Sequence, residues 1–408
     1  MNIFYHNHMM KILLLLFCSI SLFQLSLSSQ NRIISQPLHK RFDMLGLNIS
    51  IGDNTEEEMD LMLDMSIDFL WADGFYNLKS KDVSEILSDE QIKLSKDYLM
   101  AEKLLASFHM KNSQTIIENF TFYFVRDPYS TDSFASFPLA FKVRNESLSM
   151  IHSLYNRGII SKKGFSIISN GNKDEEPTLY LGGIPENYIK NSNKIFKCKV
   201  NNHFNRDYYF TWGCNLRRIT LGEFNYYNKY YAYFQSSTPF MKNYVPRDFM
   251  DFLRIAIFKE LFKQDLCYYK SYFQDNEEIE CKRSIINRIP DMEFQFEGVT
   301  FILSKDNMFR CHKDICDFLM IQNTKNSSEW RLGTTFITQY PSYFDYENEY
   351  VYFYEHSPSI FSQKSKLSIF MLITISVLLP SIVMMYIVNR KYKSDLIIKN
   401  KYILNNII

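Results

Sequence analysis

The chain has 408 residues, enough to bury one large core or two medium ones. Its 46 Lys and Arg balance 45 Asp and Glu, for a net charge of +1. Nothing in that balance argues for nucleic acid or an acidic substrate as a partner.

Composition points to strands. Phe and Tyr are abundant, at 35 and 28, and both favour half-buried sheet positions. Glycine is scarce at 12 residues, about 3% against the usual ~7%. No solenoid period runs through the chain.

In chain order, residues 1–29 read as a polar leader and a secretory signal peptide. Met10-Lys11 opens an apolar run from 12 to 27 that ends in Ser28-Ser29, a run that a membrane helix would also fit. The segment 61–71, LMLDMSIDFLW, is an apolar run, Asp64, a short turn and a Leu-Trp pair. Asp68, in that turn, reads as a solvated turn residue. Residues 119–125 form a strand-length aromatic run, as do 208–212. The stretch 170–177, NGNKDEEP, is a polar loop. Residues 232–239, AYFQSSTP, again run from apolar residues into a turn, now with Gln235 where the earlier segment has Asp64. Pro246 precedes an amphipathic helix over 248–263, with Phe249, Leu253, Ile257 and Leu261 on one face.

Near the end, residues 367–388 carry no charge and are long enough to span a bilayer; Pro380 is tolerable there. Arg390, Lys391 and Lys393 follow and put the short tail in the cytosol. The expected result is a single-pass type I membrane protein of the secretory pathway, at the cell surface or in an endolysosomal or vacuolar membrane. Of seven cysteines, Cys18 falls in the leader; Cys198, Cys214, Cys267, Cys281, Cys311 and Cys316 form an even set suited to disulfides. Cys311-His312 with Cys316 offers too few ligands for a metal site, so these cysteines read as bridged. Asn48, Asn119, Asn145 and Asn326 each head a glycosylation sequon. No cofactor is implied.

The two Asp64 and Gln235 segments, in this order and spacing, resemble the two active-site loops of pepsin-like aspartic proteases. Four further segments extend the resemblance. Residues 153–166 are similar to that family's helix and turn before the last strands of the first lobe. Residues 179–184, LYLGGI, are similar to its closing Leu-Gly-Gly. Residues 289–296, IPDMEFQF, match a second-lobe strand. Residues 330–351, from Trp330-Arg331-Leu332-Gly333 through Tyr340, Phe344-Asp345 and Asn348 to Val351, match its C-terminal signature. Residues 134–140, FASFPLA, stand where the family has Phe-Asp-Gly-Ile-Leu-Gly-Leu.

The resemblance implies a mostly β, bilobal fold with a few short helices, to which the apolar span adds a C-terminal transmembrane helix. The first lobe would cover 30–190, the second 191–357, a stalk 358–366, the membrane helix 367–388 and the tail 389–408. It implies a bridge Cys281–Cys311; Cys198–Cys214 would cross a predicted hairpin, which leaves Cys267–Cys316. The family's substrate-covering flap falls around 90–102, a stretch without glycine in which Tyr98 reads as a packed strand residue.

The resemblance also defines what is missing. Hydrolysis in that family needs two carboxyl groups sharing one proton, one as base and one as acid. Asp64 supplies the first, whereas Gln235 has no titrating proton in the working range. The residue after each Asp bears a hydroxyl that ties the loops together; Ser236 can do so and Met65 cannot. Ser66 and Ser237 replace the two loop glycines, at the cost of any strained backbone angle, with Thr238 completing the second turn. The leading expectation is a pseudoprotease that binds a peptide or protein segment in the interlobe cleft. An acid endopeptidase pairing Asp64 with an unconventional partner, for which Asp68 is the one candidate, is the alternative, and a structural or receptor-like surface protein the third.

Overall fold

The computed structural model describes residues 32–41, 44–52, 58–73, 83, 85–94, 97–110, 116–126, 135–141, 145–169, 176–191, 195–200, 211–227, 231–236, 242–271, 277–297, 299–322 and 329–354. All belong to one compact unit, Met1–His356. The signal-like leader, stalk, apolar span 367–388 and tail lie outside the described residues. Among the described residues no helix is long and apolar enough to cross a membrane.

The architecture is mostly β, with short helices between strands. One eight-stranded sheet carries the first half, in the order His39–Arg41, Met44–Ile51, Glu58–Asp64, Ser136–Pro138, Trp71–Asp73, Ile116–Val125, Asp97–Met110 and Glu85–Leu94. A second eight-stranded sheet carries the second half around Gly213–Leu221, Tyr231–Phe234, Trp330–Leu332, Asn243–Val245 and Met320–Gln322. A six-stranded sheet takes three strands from each half: Ile34–Pro37, Thr178–Leu181 and Gly164–Ile168, then Ser342–Asp345, Tyr350–Tyr354 and Ile195–Lys199. The two halves are therefore joined by main-chain hydrogen bonds, Phe165 lying opposite Phe344 in register.

The central pairing is repeated in the two halves. Glu58–Asp64 runs parallel to Ser136–Pro138, which is antiparallel to Trp71–Asp73, itself parallel to Ile116–Val125. Tyr231–Phe234 likewise runs parallel to Trp330–Leu332, which is antiparallel to Asn243–Val245, itself parallel to Met320–Gln322. Asp64 ends the leading strand of the first set, and Gln235 directly follows that of the second.

Aromatic side chains fill the core, which explains their number. Trp212 packs against Phe141, Phe344 and Tyr346 at ring distances of 4.8, 5.2 and 4.8 Å. Burying each such ring contributes about 1.5–3 kcal/mol. Trp212 itself lies outside any strand, and residues 208–210 of its predicted strand lie outside the described residues, as do 170–175 of the polar loop. Gly182 in the Leu-Gly-Gly has φ +96, and a Cβ there would meet Arg32 O at 2.7 Å and Ile160 Cβ at 2.6 Å. Only glycine fits that corner.

The helix after Pro246 forms as Arg247–Leu253, Arg254–Phe258 and Lys259–Lys263, the middle piece being a π turn. The extra residue in that turn rotates Phe258 into the core, where it is fully buried, while Ile257 is only half-buried. An unbroken 3.6-residue period therefore misplaces this face.

All six cysteines are bridged, but not as the resemblance implied. The bridges are Cys198–Cys214, Cys267–Cys281 and Cys311–Cys316. Cys281 and Cys311 sit on strands Glu277–Lys282 and Phe309–His312, which flank Ile315–Phe318 in the four-stranded sheet. Two strand spacings of about 4.8 Å separate them, beyond the ~7 Å Cα limit of a disulfide. Cys267 and Cys316 fail for the same reason. Cys198–Cys214 forms, yet crosses no hairpin: Cys198 pairs opposite Val351 and Cys214 opposite Ala232, so the bridge bolts two sheets together.

Candidate functional site

The apolar run 61–63 is a buried central strand, and Asp64 is presented where that strand ends. Its main-chain oxygen accepts Leu139 N–H at 2.8 Å, which fixes the strand end against the neighbouring loop. Its Oδ1 accepts two hydrogen bonds from Ser66, from N–H at 2.8 Å and from the hydroxyl at 2.5 Å. Asp64 is 9% exposed, so the carboxylate is oriented and largely screened from water.

Ser66 is not in the left-handed region, so the expected strain at this former glycine position is absent. The turn tolerates a side chain, and the added hydroxyl becomes a second donor to Asp64. Met65 is fully buried in the main hydrophobic core, and its thioether has no hydrogen to donate to the other loop. Asp68 is not a solvated turn residue: it is 3% exposed.

The second loop lacks carboxylates over the segments that form it. From Tyr231 to Ser236 and from Trp330 to Thr338 no carboxylate occurs. Gln235 is half-buried, and its N–H donates to Leu332 O at 2.9 Å. Ser236 is fully buried and its hydroxyl donates to Leu63 O at 2.7 Å. This bond joins the two loops one residue away from both Asp64 and Gln235. The reciprocal bond cannot exist, because Met65 carries no donor. Ser237 and Thr238 lie outside the described residues.

A second layer of polar contacts holds this loop. Asn243 Oδ1 accepts Gly333 N–H at 2.7 Å and its amide donates to Thr335 Oγ1 at 3.0 Å. Thr334 Oγ1 donates to Ser236 O at 3.3 Å. On the first-loop side, Trp212 Nε1 donates to Leu139 O at 2.8 Å. Sequence reasoning missed Asn243 and Trp212; neither sits in a motif, and only the fold brings them near. Tyr233, two residues before Gln235, is pushed up to about 12, first by burial and then by Glu329 and Tyr231, and stays a neutral phenol.

The flap position holds a real hairpin. Glu85–Leu94 and Asp97–Met110 pair antiparallel, with Leu94 opposite Asp97. It forms without glycine in either strand. Ile92, Leu99 and Ala101 of this hairpin pack with Phe69, Trp71 and Tyr123 in a small core of their own. Glu90 accepts Tyr123 OH at 2.8 Å and Lys103 Nζ at 3.0 Å, and these partners hold its carboxyl below the usual range, Lys103 first. Trp71 Nε1, behind the Asp64 turn, is buried without a hydrogen-bond partner among the described residues. The side chain of Tyr98 lies outside the described residues.

The sequons differ in their setting. Asn48 is half-buried in a strand paired on both edges, with its amide donated to Glu58 Oε2 at 2.9 Å. Asn119 and Asn145 are exposed, and Asn145 Oδ1 accepts both the N–H and hydroxyl of Ser147 at 3.0 and 2.9 Å. Asn326 lies outside the described residues.

The family described as eukaryotic aspartyl protease matches residues 136–355, more than half of the chain. The crystal structure of the aspartic proteinase from Irpex lacteus superposes with a TM-score of 0.62 at 12% identity, covering 80% of this chain and 98% of that one. At that identity the likeness is one of fold. No curated protein matches the chain.

Proposed function

The chain belongs to the eukaryotic aspartyl protease family, and on that premise we propose that it is a catalytically impaired member whose interlobe cleft holds an extended peptide without cutting it. The observation that carries this reading is the asymmetry of the two loops. Asp64 is buried and oriented by Ser66, while Gln235 stands at the matching strand end of a loop without carboxylates. A water between them can be bound, because Gln235 offers an amide donor and Asp64 an acceptor. It cannot be activated by a proton-sharing pair. General acid–base catalysis contributes roughly 100- to 10,000-fold, and loss of one half of a dyad removes that and more.

Peptide binding survives such a loss. A cleft between β lobes grips an extended backbone by main-chain hydrogen bonds, with side-chain pockets adding selectivity. The body is held on the lumenal or extracellular side of a secretory-pathway membrane by residues 367–388, and among the described residues Asn119 and Asn145 are the sequons exposed to carry glycans. Calorimetric titration of the full-length protein with pepstatin, an extended peptide analogue, tests the binding. Saturable one-to-one binding that weakens in Asp64→Ala supports the reading. A folded protein that binds no extended peptide contradicts it.

A further inference from the structure

The four-stranded sheet sets four cysteines in one row. Across strands Cys267–Ser271, Glu277–Lys282, Ile315–Phe318 and Phe309–His312, the register places Cys267 opposite Cys281, Cys281 opposite Cys316, and Cys316 opposite Cys311. The outer two pairs are bridged, with Cα separations of 4.0 and 3.9 Å, close to the narrow pairing of an antiparallel ladder. The central pair is not bonded. Arg283 N–H donates to Asp314 O at 2.8 Å, two residues along the same ladder, so Cys281 and Cys316 form a wide, hydrogen-bonded pair. Such pairs have Cα atoms about 5.5 Å apart, inside the Cα range of a disulfide, and their Cβ atoms must close by roughly 1 Å to be bridged.

Access to the row is one-ended. Cys267, Cys281 and Cys316 are at most 2% exposed, whereas Cys311 is exposed. Exposed Arg283 and Lys313 stand at this end of the row against exposed Asp314, while Lys282, Arg310 and His312 alternate onto the opposite face, where Arg310 is paired to Asp317 at 3.6 Å. The Arg283 guanidinium is held at this turn by Lys313 O at 3.4 Å. Positive charge draws an anionic thiolate and stabilises a thiolate leaving group.

We propose that Cys311 is a thiolation site for a small thiol bearing carboxylates, and that the row carries the exchange inward. The incoming thiolate attacks Cys311 Sγ; the new S–S bond forms as Cys311–Cys316 breaks, and the electron pair leaves on Cys316. The Cys316 thiolate attacks Cys281 Sγ, forming Cys281–Cys316 as Cys267–Cys281 breaks. The pair now rests on Cys267, which takes up the proton that the attacking thiol gave up. Two disulfides enter and two leave, so no oxidant or reductant is consumed. The end state ties the middle strands together and leaves both outer strands uncrosslinked. This site stands apart from the Asp64 and Gln235 loops and does not rest on the proposed function.

Folded full-length protein is exposed to glutathione, quenched in acid, alkylated and mapped without reduction. The expected map has glutathione on Cys311, a Cys281–Cys316 crosslink and alkylated Cys267. The rate falls as salt rises, because screening weakens the pull of Arg283 and Lys313. In a C267S/C281S variant the exchange stops one step earlier, with Cys316 alkylated; should that variant not fold, the map of the unaltered protein decides alone. Alkylated Cys316 beside an intact Cys267–Cys281 bridge in the unaltered protein overturns the relay. No adduct on Cys311, or a salt-independent rate, overturns the entry site.

Discussion

At the scale of single residues, the site is defined by which atoms can carry a proton and which only hold position. Asp64 Oδ1 is fixed by both donors of Ser66, and the Ser236 hydroxyl ties the second loop to Leu63 O of the first. Gln235→Asp is therefore expected to leave peptide cleavage undetectable, as Met65 still cannot complete the tie; a fluorogenic-peptide assay at acid pH checks this. Ser236→Ala leaves Leu63 O buried without its donor, at a cost of about 1–3 kcal/mol, read as a lowered denaturation midpoint. The missing second acid and the missing Met65 hydroxyl were legible in the sequence, because they follow from side-chain chemistry alone. The absence of strain at Ser66 was not, since it depends on the backbone angle the turn adopts.

At the scale of elements, register decides what motif reading could not. The strand ends bearing Asp64 and Gln235, the Leu-Gly-Gly corner and the Trp330–Leu332 strand all stand where short sequence patterns put them. The disulfide pairing does not, because it depends on which strand lies between two others, a property of tertiary pairing. The π turn at 254–258 is equally hidden, since nothing in an amphipathic period announces one extra residue. One ion pair fixes the four-stranded sheet to the site. Lys242, beside Asn243, is bonded to Glu278 of strand Glu277–Lys282, and both side chains are largely buried. Lys242→Met leaves Glu278 without that partner and is expected to cost about 3–5 kcal/mol in chemical denaturation. Lys242→Arg should retain most of that stability.

At the scale of the molecule, acid weakens the fold at defined places. His152 is buried beside Ser149, Glu146, Lys163 and Tyr346; burial holds its imidazole below the usual range, with Lys163 adding to this and Glu146 opposing it. Unfolded, it takes a proton near pH 6.5, which the folded state resists. Its contribution is thus complete above about pH 6.5 and is lost as pH falls through the lowered folded value. Glu90 follows with the same sign at lower pH, its contribution being present above about 4.5 and lost below. Urea midpoints measured from pH 7.5 to 5 should fall, and should fall less in His152→Gln.

The joined sheets, the repeated strand pairing and the flap-like hairpin together give the frame of an aspartyl protease, with Gln235 following the second leading strand where Asp64 ends the first. Cleavage of a denatured protein substrate by the folded, full-length chain, from acid to neutral pH with and without pepstatin, tests that account most directly. The account predicts no pepstatin-sensitive cleavage at any pH. Cleavage that pepstatin blocks and that Asp64→Asn abolishes would contradict it, and would mean that another group supplies the proton Gln235 cannot.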